Sequence, residues 1–154
     1  MPAIVVNDNV VRIVILIIFG LPITIIDIKR HIISPIYTIT FMVIGGAYFL
    51  HYRLSYDQGI QLVIVMLITI VYHLILRNNI GGGDLKLFAI LGLYFYLDIW
   101  LIGVILTGIF GLAIFLFLQI FTDRKIVVAK NKVAFAPAIF VGFFSSAVLA
   151  FVVR

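Results

Sequence analysis

All six acidic residues of the chain are aspartates, and two of them stand where a pair of carboxylates could do chemistry. Asp27 ends the first long apolar run, and Asp84 follows three glycines near the start of the fourth. Two carboxylates that share one proton can hydrolyse a peptide bond without a metal ion or a covalent nucleophile. The ionised carboxylate takes a proton from water, while the protonated one polarises the scissile amide.

The absence of cysteine and the wide spacing of the histidines exclude other kinds of catalytic or metal site. The chain has no cysteine, which excludes a disulfide framework, a thiol nucleophile and a cysteine-ligated zinc site. Its three histidines, His31, His51 and His73, lie too far apart to form a metal-ligand motif. The net charge of +5 comes without a basic arm or the signature of a nucleic-acid-binding fold. We therefore expect no metal, no cofactor and no nucleic-acid partner.

The elements that must position Asp27 and Asp84 are long apolar runs. Hydrophobic residues make up 65% of the chain and charged residues 11%, against about 25% charged residues in a soluble domain. Apolar runs of this length are typical of membrane-spanning helices. The sequence therefore predicts an all-α, polytopic membrane protein with a single membrane-embedded domain over residues 1–154. The six predicted transmembrane helices are Val10–Ile26, Ile32–Tyr52, Gln58–Leu76, Ile80–Leu97, Ile99–Phe121 and Val133–Val153.

The basic residues predict how these spans are oriented. Six crossings put both termini on one side, and membrane proteins carry an excess of Lys and Arg on the cytoplasmic side. One face of the predicted bundle holds eight basic residues, namely Lys29, Arg30, Arg77, Lys86, Arg124, Lys125, Lys130 and Lys132. The opposite face holds only Arg12, Arg53 and Arg154. We therefore predict that both termini are extracytoplasmic.

Counting spans also predicts where the two aspartates lie. Two spans separate Asp27 from Asp84, and an even number of crossings returns the chain to the same, cytoplasmic side. Arg12 precedes Asp27 by fifteen residues, which is about 22 Å of helix. The outer aromatic residues Tyr96 to Trp100 follow Asp84 by twelve to sixteen residues, which is roughly 18–24 Å. With the outer ends at one surface of a hydrocarbon core about 30 Å thick, both carboxylates lie near the inner boundary, where ionisable groups usually face a cavity or a partner.

The three glycines predict an unusual backbone before Asp84. Gly81, Gly82 and Gly83 tolerate positive φ angles and the close approach of a ligand. A break at membrane depth frees N–H and C=O groups, which could hold an extended substrate strand. The alternative is a plain loop before a helix whose dipole favours Asp84.

Three roles are open for Lys86, which lies two residues after Asp84. It biases the charge of Asp84, it meets an acidic group of the substrate, or it anchors the helix at the inner boundary.

Other residues have less specific predictions. An outer interfacial belt is expected from Tyr48, Tyr52, Tyr56, Tyr94, Tyr96 and Trp100. Close helix packing is expected at Gly45, Gly46, Gly103, Gly108 and Gly111. The remaining aspartates are interpreted as boundary or loop charges, namely Asp8, Asp57, Asp98 and Asp123. Since aspartate often caps helices, a capping role is also the alternative for Asp27 or Asp84 taken singly.

Three segments resemble characteristic segments of the type IV prepilin and preflagellin peptidases. Residues 81–87 resemble the family's glycine-x-glycine-aspartate signature, including the x-lysine-leucine that commonly follows it. Residues 27–35 resemble the polar segment that begins at the family's other aspartate, with Ser34 where a proline is usual. Residues 134–137 resemble the proline–phenylalanine–x–proline segment at the start of the last span, with Ala134 in place of the first proline.

This resemblance implies a function. It makes Asp27 and Asp84 the catalytic pair of a membrane aspartyl endopeptidase, with Gly81, Gly82, Gly83 and Lys86 supporting them or binding substrate. It implies removal of the basic leader from type IV pilin-like precursors at the cytoplasmic face of the cell membrane. The expected partners are that precursor and the lipid bilayer. Relatives with an N-terminal cysteine-containing segment are associated with pilin N-methylation; this chain lacks that segment, so a peptidase-only form without zinc is expected.

Two other interpretations of the same residues stay open. In the first, the chain is a non-catalytic channel, transporter or secretion-system scaffold whose aspartates serve ions or packing. In the second, it is a presenilin-type protease that shares the glycine–aspartate motif. The second is disfavoured because the chain is too short for nine spans and has no proline-alanine-leucine motif. The sequence predicts no particular oligomeric state.

Overall fold

Six α-helices make up almost all of the structure. The computed structural model of the protein describes residues 8–30, 33–52, 55–76, 82–121 and 135–153. In chain order the helices are α1 (Asp8–Arg30), α2 (Pro35–Tyr52), α3 (Tyr56–Leu76), α4 (Gly82–Tyr94), α5 (Leu97–Phe121) and α6 (Ala136–Val153). The all-α prediction is confirmed for these residues.

Helix α1 continues beyond the predicted end of the first span. It runs through Asp27 to Arg30, so Asp27 lies within the helix rather than in a break. Lys29 and Arg30 close the helix, where the negative end of its dipole favours cations. The predicted break after Ile26 is therefore wrong, because a single aspartate costs a helix interior well under about 1 kcal/mol and the basic last turn offsets part of that cost.

Helix α4 is the shortest of the described helices and lies at the centre of the bundle. Its thirteen residues span about 20 Å, against about 30 Å for a hydrocarbon core. It packs against α2, α3, α5 and α6, and seven of its residues are buried. The chain turns at Phe95 and Tyr96 before α5 begins, so the helix is shorter than the predicted span Ile80–Leu97. This turn inserts the ring of Phe95 into the core, where it is 1% exposed.

Helices α1, α3 and α5 carry most of the apolar outer surface. Each contains a segment long and apolar enough to cross a membrane by length and composition, namely Val10–Arg30, Tyr56–Ile75 and Leu97–Phe117. Helix α3 is the extreme case, because only 6% of its apolar stretch is buried against other helices. Helices α2 and α6 are apolar but shorter. Six crossings and extracytoplasmic termini therefore stay predictions.

Glycines allow several of these helices to approach closely. A methyl group at Gly45, Gly103 or Gly111 would collide with an aromatic ring of another part of the bundle. The rings concerned are those of Tyr94, Phe143 and Phe135, respectively. The packing prediction is confirmed for these three glycines. It is wrong for Gly46 and Gly108, around which a methyl group would find open space.

Three aromatic residues predicted to form an outer belt lie inside the bundle. Tyr48, Tyr94 and Trp100 are all buried. The hydroxyl of Tyr94 donates to the carbonyl of Phe41 at 2.7 Å, and the indole Nε1 of Trp100 donates to the carbonyl of Phe88 at 2.9 Å. Because main-chain carbonyls satisfy these donors, the rings need no water, and the belt prediction is wrong for these residues. Of the other three, Tyr56 is exposed, Tyr96 is half-buried and the side chain of Tyr52 lies outside the described part.

Arg12 belongs to this interior cluster. Its side chain is 1% exposed. The Nε group donates to the Tyr48 hydroxyl at 3.0 Å, and Cζ lies 4.6 Å from the centre of the Tyr96 ring, within cation–π range. These contacts bring the start of α1 against the residues that follow α4. The two helices therefore run in opposite directions.

Candidate active site

Asp27 is held in a tight socket between α1 and α6. Its side chain is 5% exposed, and its Oδ2 accepts a hydrogen bond from the main-chain N–H of Ala136 at 3.0 Å. Ala136 is the first residue of α6, where an N–H group has no acceptor within its own helix. A negative charge at this end is also favoured by the helix dipole. Asp27 thus caps a helix, as the alternative interpretation proposed, but the helix is α6 and not its own.

The capping bond leaves part of the carboxylate available. Within the described ranges, the N–H of Ala136 is the one hydrogen-bond donor to Asp27. The second carboxylate oxygen, Oδ1, is therefore free of protein donors in this part of the chain and can bind water or a proton. Sequence reasoning did not predict the role of Ala136. The signal was the helix start marked by Pro137, since a helix that begins there presents its first N–H groups to a neighbour.

Asp84 occupies a more open position. It is the third residue of α4 and is half-buried. Gly82 and Gly83 are the first two residues of the same helix, so the predicted break is wrong for both of them, and Gly81 lies outside the described residues. Gly83 is needed for close approach and not for an unusual φ angle. A methyl group there would lie 3.0 Å from Cδ1 of Ile33, whereas one at Gly82 would meet nothing.

Asp27 and Asp84 lie on the faces of α1 and α4 that border one small cavity. On α4, Asp84 shares a face with Leu87 and Leu91, because the three are spaced by three and four residues. On α1, Asp27 shares a face with Ile23 in the same way. Leu87, Leu91 and Ile23 all line one small cavity, so these faces are opposed. Asp27 and Asp84 each lie one helical turn beyond it.

The antiparallel direction of the two helices puts both aspartates at the same end of the bundle. Arg12 stacks on Tyr96 at the opposite end. From that contact, α1 extends about 22 Å to Asp27, whereas α4 rises only about 15 Å from Tyr94 back to Asp84. Placement at the same end agrees with the prediction from span counting, and the matched depth of the two carboxylates stays a prediction. Which leaflet this end occupies stays a prediction.

A wide groove begins at Asp84. It has a cavity volume of about 940 Å³ and lies between α2, α3 and α4. Only three of its lining side chains are polar, namely Thr38, Asp84 and Lys86, and the rest include Ile39, Met42, Met66 and Leu93. Asp84 and Leu93 are nine residues apart along α4, so the groove extends about 13 Å along that helix. Lys86 is exposed at the same end as Asp84, within reach of anything that enters.

The groove and the socket each contribute one carboxylate. Among the residues that the structure describes, no three His, Asp or Glu side chains lie together. The arrangement consists of the Asp27 carboxylate with its main-chain donor and the Asp84 carboxylate beside the apolar groove. Such an arrangement can activate water and hold an apolar chain next to it.

The fold and the site define an apolar bundle of helices that places two aspartates at one end, one buried between α1 and α6 and one half-buried beside a groove. The chain belongs to the type IV leader peptidase family, whose family model matches residues 14–116. The match covers about two thirds of the 154 residues and includes both Asp27 and Asp84. It confirms the resemblance carried by residues 81–87 and makes the protein a protease with a protein substrate. No curated protein and no solved structure matches the chain.

Proposed function

We propose that the protein is a membrane aspartyl endopeptidase that removes the basic leader from type IV pilin-like precursors at the cytoplasmic face of the cell membrane. The observation that carries this proposal is the opposition of Asp27 and Asp84 across α1 and α4, one turn beyond a shared cavity. Family membership supports the peptidase activity. The concentration of basic residues at this end of the sequence-predicted bundle supports a cytoplasmic site.

The positions of the two carboxylates suggest different roles in hydrolysis. Asp84 lines the groove and is therefore the carboxylate next to the substrate. In the proposed mechanism it carries the shared proton and polarises the scissile carbonyl. Asp27, fixed from behind by Ala136, takes a proton from the attacking water. Collapse of the tetrahedral intermediate then transfers a proton from a carboxyl group to the leaving amine, which restores one proton to the pair.

The groove supports a substrate with an apolar segment after the cleavage site. A chain whose scissile bond lies at Asp84 can continue along Ile39, Met42 and Leu93 without exposing apolar side chains to water. About 13 Å of groove corresponds to roughly nine residues of helix or four of extended strand. A polar continuation would leave its hydrogen-bonding groups unsatisfied there. The pilin-like precursor implied by the resemblance has an apolar segment in the required position.

Asparagine variants of the two aspartates test the proposal. A pilin-like precursor is co-expressed with wild-type protein, Asp27→Asn or Asp84→Asn, and the mass of its N-terminus is measured. Loss of a positioned acid or base should slow cleavage by roughly 100- to 10,000-fold. Asp98→Asn is the matched control, because Asp98 also lies in the first turn of a helix but is exposed and away from the site. Normal cleavage by both asparagine variants would refute the proposal.

One observation favours a purely structural role for Asp27, which is its capping bond to α6. In that case the protein could be a non-catalytic channel, transporter or scaffold. Asparagine distinguishes the two roles, because its side-chain oxygen can still accept the Ala136 N–H but cannot take a proton from water. If Asp27→Asn leaves both assembly and precursor cleavage unchanged, the carboxylate acts only as a cap.

A further inference from the structure

Both internal methionines of the chain line the groove that begins at Asp84. The sequence has three methionines, and the two that follow Met1 are Met42 and Met66. Met42 lies on α2 and is exposed, whereas Met66 lies on α3 and is half-buried. A methionine side chain is unbranched, has three rotatable bonds and carries a polarisable sulfur, so it adapts to neighbours of different shape. Two flexible apolar side chains therefore lie along the proposed path of the substrate.

The two methionines belong to opposite walls of the groove. Helices α2 and α3 both pack on α4, but they make few contacts with each other. Helix α4 is therefore the floor of the groove, which it lines with Ala89, Ile90 and Leu93. Met42 belongs to the α2 wall and Met66 to the α3 wall. A chain lying in the groove would thus have a methionine on each side.

Helix α2 runs parallel to α4, which fixes the level of Met42 along the groove. Ile33, two residues before α2, lies against Gly83 at the start of α4, and Gly45 lies against the ring of Tyr94 at its end. Met42 is nine residues after Ile33 and three before Gly45. By helical rise it lies about 12 Å beyond the level of Gly83.

Helix α3 runs in the opposite direction and places Met66 at a similar level. Val65 lies against Gly92 of α4, whereas the later residue Tyr72 lines a small cavity together with Leu85, near the start of α4. Met66 directly follows Val65, so it lies about one residue closer to the start of α4 than Gly92 does. This level is again about 12 Å along the groove. The two methionines are therefore opposite each other.

We propose that Met42 and Met66 are the specificity-determining residues of the groove for the apolar segment of a precursor. They contact the same region of that segment from opposite sides, about 10 Å beyond Asp84, and adjust to side chains of different size there. The protein consequently accepts precursors whose apolar segments differ at this position. This inference rests on the proposed function and adds which residues of the groove meet the substrate and how strictly they select it.

Disulfide crosslinking tests the contact directly, because the chain has no cysteine of its own. Met42→Cys or Met66→Cys is combined with Asp27→Asn to prevent cleavage. Each protein is oxidised with pilin-like precursors that carry a single cysteine at one of positions two to ten after the cleavage site. Both variants should crosslink most strongly to the same one or two precursor positions.

Matched controls for the crosslinking are Val43→Cys and Leu67→Cys, each also combined with Asp27→Asn. Val43 and Leu67 directly follow the two methionines in sequence, but they are exposed on the outside of the bundle and do not line the groove. We expect at least tenfold less crosslinking from them. Crosslinking that is equally strong from the controls, or strongest at unrelated precursor positions for the two walls, overturns the inference.

Stiffer side chains test whether the flexibility of the methionines matters. The double variant Met42→Ile/Met66→Ile keeps the apolar character of both walls, but branching at Cβ restricts χ1. Precursors with alanine, leucine or phenylalanine at the crosslinked position are assayed in lipid nanodiscs. The wild type should cleave all three with kcat/KM values within about fivefold of one another. The double variant should lower kcat/KM for the phenylalanine precursor roughly tenfold relative to the leucine precursor, as in a hydrophobic pocket that selects by size. Val43→Ile/Leu67→Ile is the control and should keep the wild-type pattern.

The melting temperature of the double variant separates substrate selection from packing. A near-wild-type melting temperature with a changed preference among the three precursors supports the inference. An unchanged preference overturns it, and so does a uniform loss of cleavage of all three precursors. A wild type that cleaves none of them overturns the proposed function as well, whereas an active wild type whose preference is shared by the double variant overturns this inference alone.

Discussion

The two aspartates lie in regions of the bundle with opposite character. Asp27 is buried in a socket between α1 and α6 and receives a main-chain hydrogen bond. Asp84 is half-buried at one end of a groove of about 940 Å³ between α2, α3 and α4. Two chemically identical side chains therefore have different surroundings, which suit them to the different tasks of the proposed mechanism. The first is suited to precise orientation and the second to contact with an incoming chain.

This difference predicts that the two positions respond differently to loss of the whole side chain. Asp27→Ala leaves the N–H of Ala136 buried without an acceptor, so it should be about 1–3 kcal/mol less stable than Asp27→Asn, in which the amide oxygen can still accept. Asp84→Ala and Asp84→Asn should differ by less than the Asp27 pair, because Asp84 is half-buried beside an open groove. Chemical or thermal unfolding in detergent measures both pairs.

If the difference in unfolding free energy between the alanine and asparagine variants were the same at both positions, this view of the site would be contradicted. It would mean that the capping bond contributes little, or that Asp84 is as enclosed as Asp27. Cleavage is measured in parallel, and all four variants are expected to be inactive. If all four variants are inactive but differ in stability, the loss of activity comes from the loss of the carboxylate and not from a folding defect.

Filling the groove should affect substrate binding without disturbing the socket. Ala89→Phe places a ring among the apolar lining residues of the groove, beside Ile90 and Leu93. We expect kcat/KM for a pilin-like precursor to fall about tenfold, which corresponds to about 1.4 kcal/mol of lost binding. Ala113→Phe on the exposed surface of α5 is the matched control. A fall caused by both variants alike would show that bulk in the membrane, and not the groove, is responsible.

The glycine pair before Asp84 provides a smaller and more local comparison. A methyl group at Gly83 would lie 3.0 Å from Cδ1 and 3.1 Å from Cβ of Ile33, a residue that lines the groove. Gly83→Ala should therefore cost about 1 kcal/mol, at the lower end of overpacking penalties, and reduce kcat/KM severalfold. Gly82→Ala meets no atom and should be neutral or gain up to about 1 kcal/mol from helix propensity. Identical behaviour of the two variants would exclude Ile33 as the sensitive neighbour.

The smallest effect is expected at Lys86. Its side chain is exposed at the Asp84 end of the groove, and exposed charge pairs are worth about 0–1 kcal/mol. Lys86→Gln should therefore raise KM no more than about fivefold, and only for a precursor that carries an acidic residue near the cleavage site. KM is measured for the wild type and for Lys86→Gln, with an acidic precursor and with its amide counterpart. If the substitution leaves KM the same for both precursors, Lys86 serves as a boundary anchor.

Patterns within the chain were sufficient to predict which helices exist and that the two aspartates lie at one end of the bundle. Apolar runs have a clear length, and the number of runs between Asp27 and Asp84 decides whether they share a side. The contact of Arg12 with Tyr96 at the other end agrees with the antiparallel direction of α1 and α4 that the span count implies. These inferences need only local composition and the geometry of a helix.

The features that were not predicted all depend on contacts between distant parts of the chain. The bond from Ala136 to Asp27 joins residues 109 positions apart, and no periodicity within either helix records it. Tyr94 and Trp100 are amphipathic, and only the packed structure shows that carbonyls of other segments, and not interfacial water, satisfy their donors. Likewise, the shortness of α4 follows from the turn at Phe95, whose ring is drawn into the core.

The long-range bond to Asp27 also sets an order of events during biosynthesis. Helix α6 is the last of the six to be translated, and until Ala136 has returned to α1 the Asp27 side chain lacks the donor that orients it. Under the proposed mechanism, a chain that has not yet placed α6 against α1 would lack the donor that orients Asp27 and would therefore not cleave precursor.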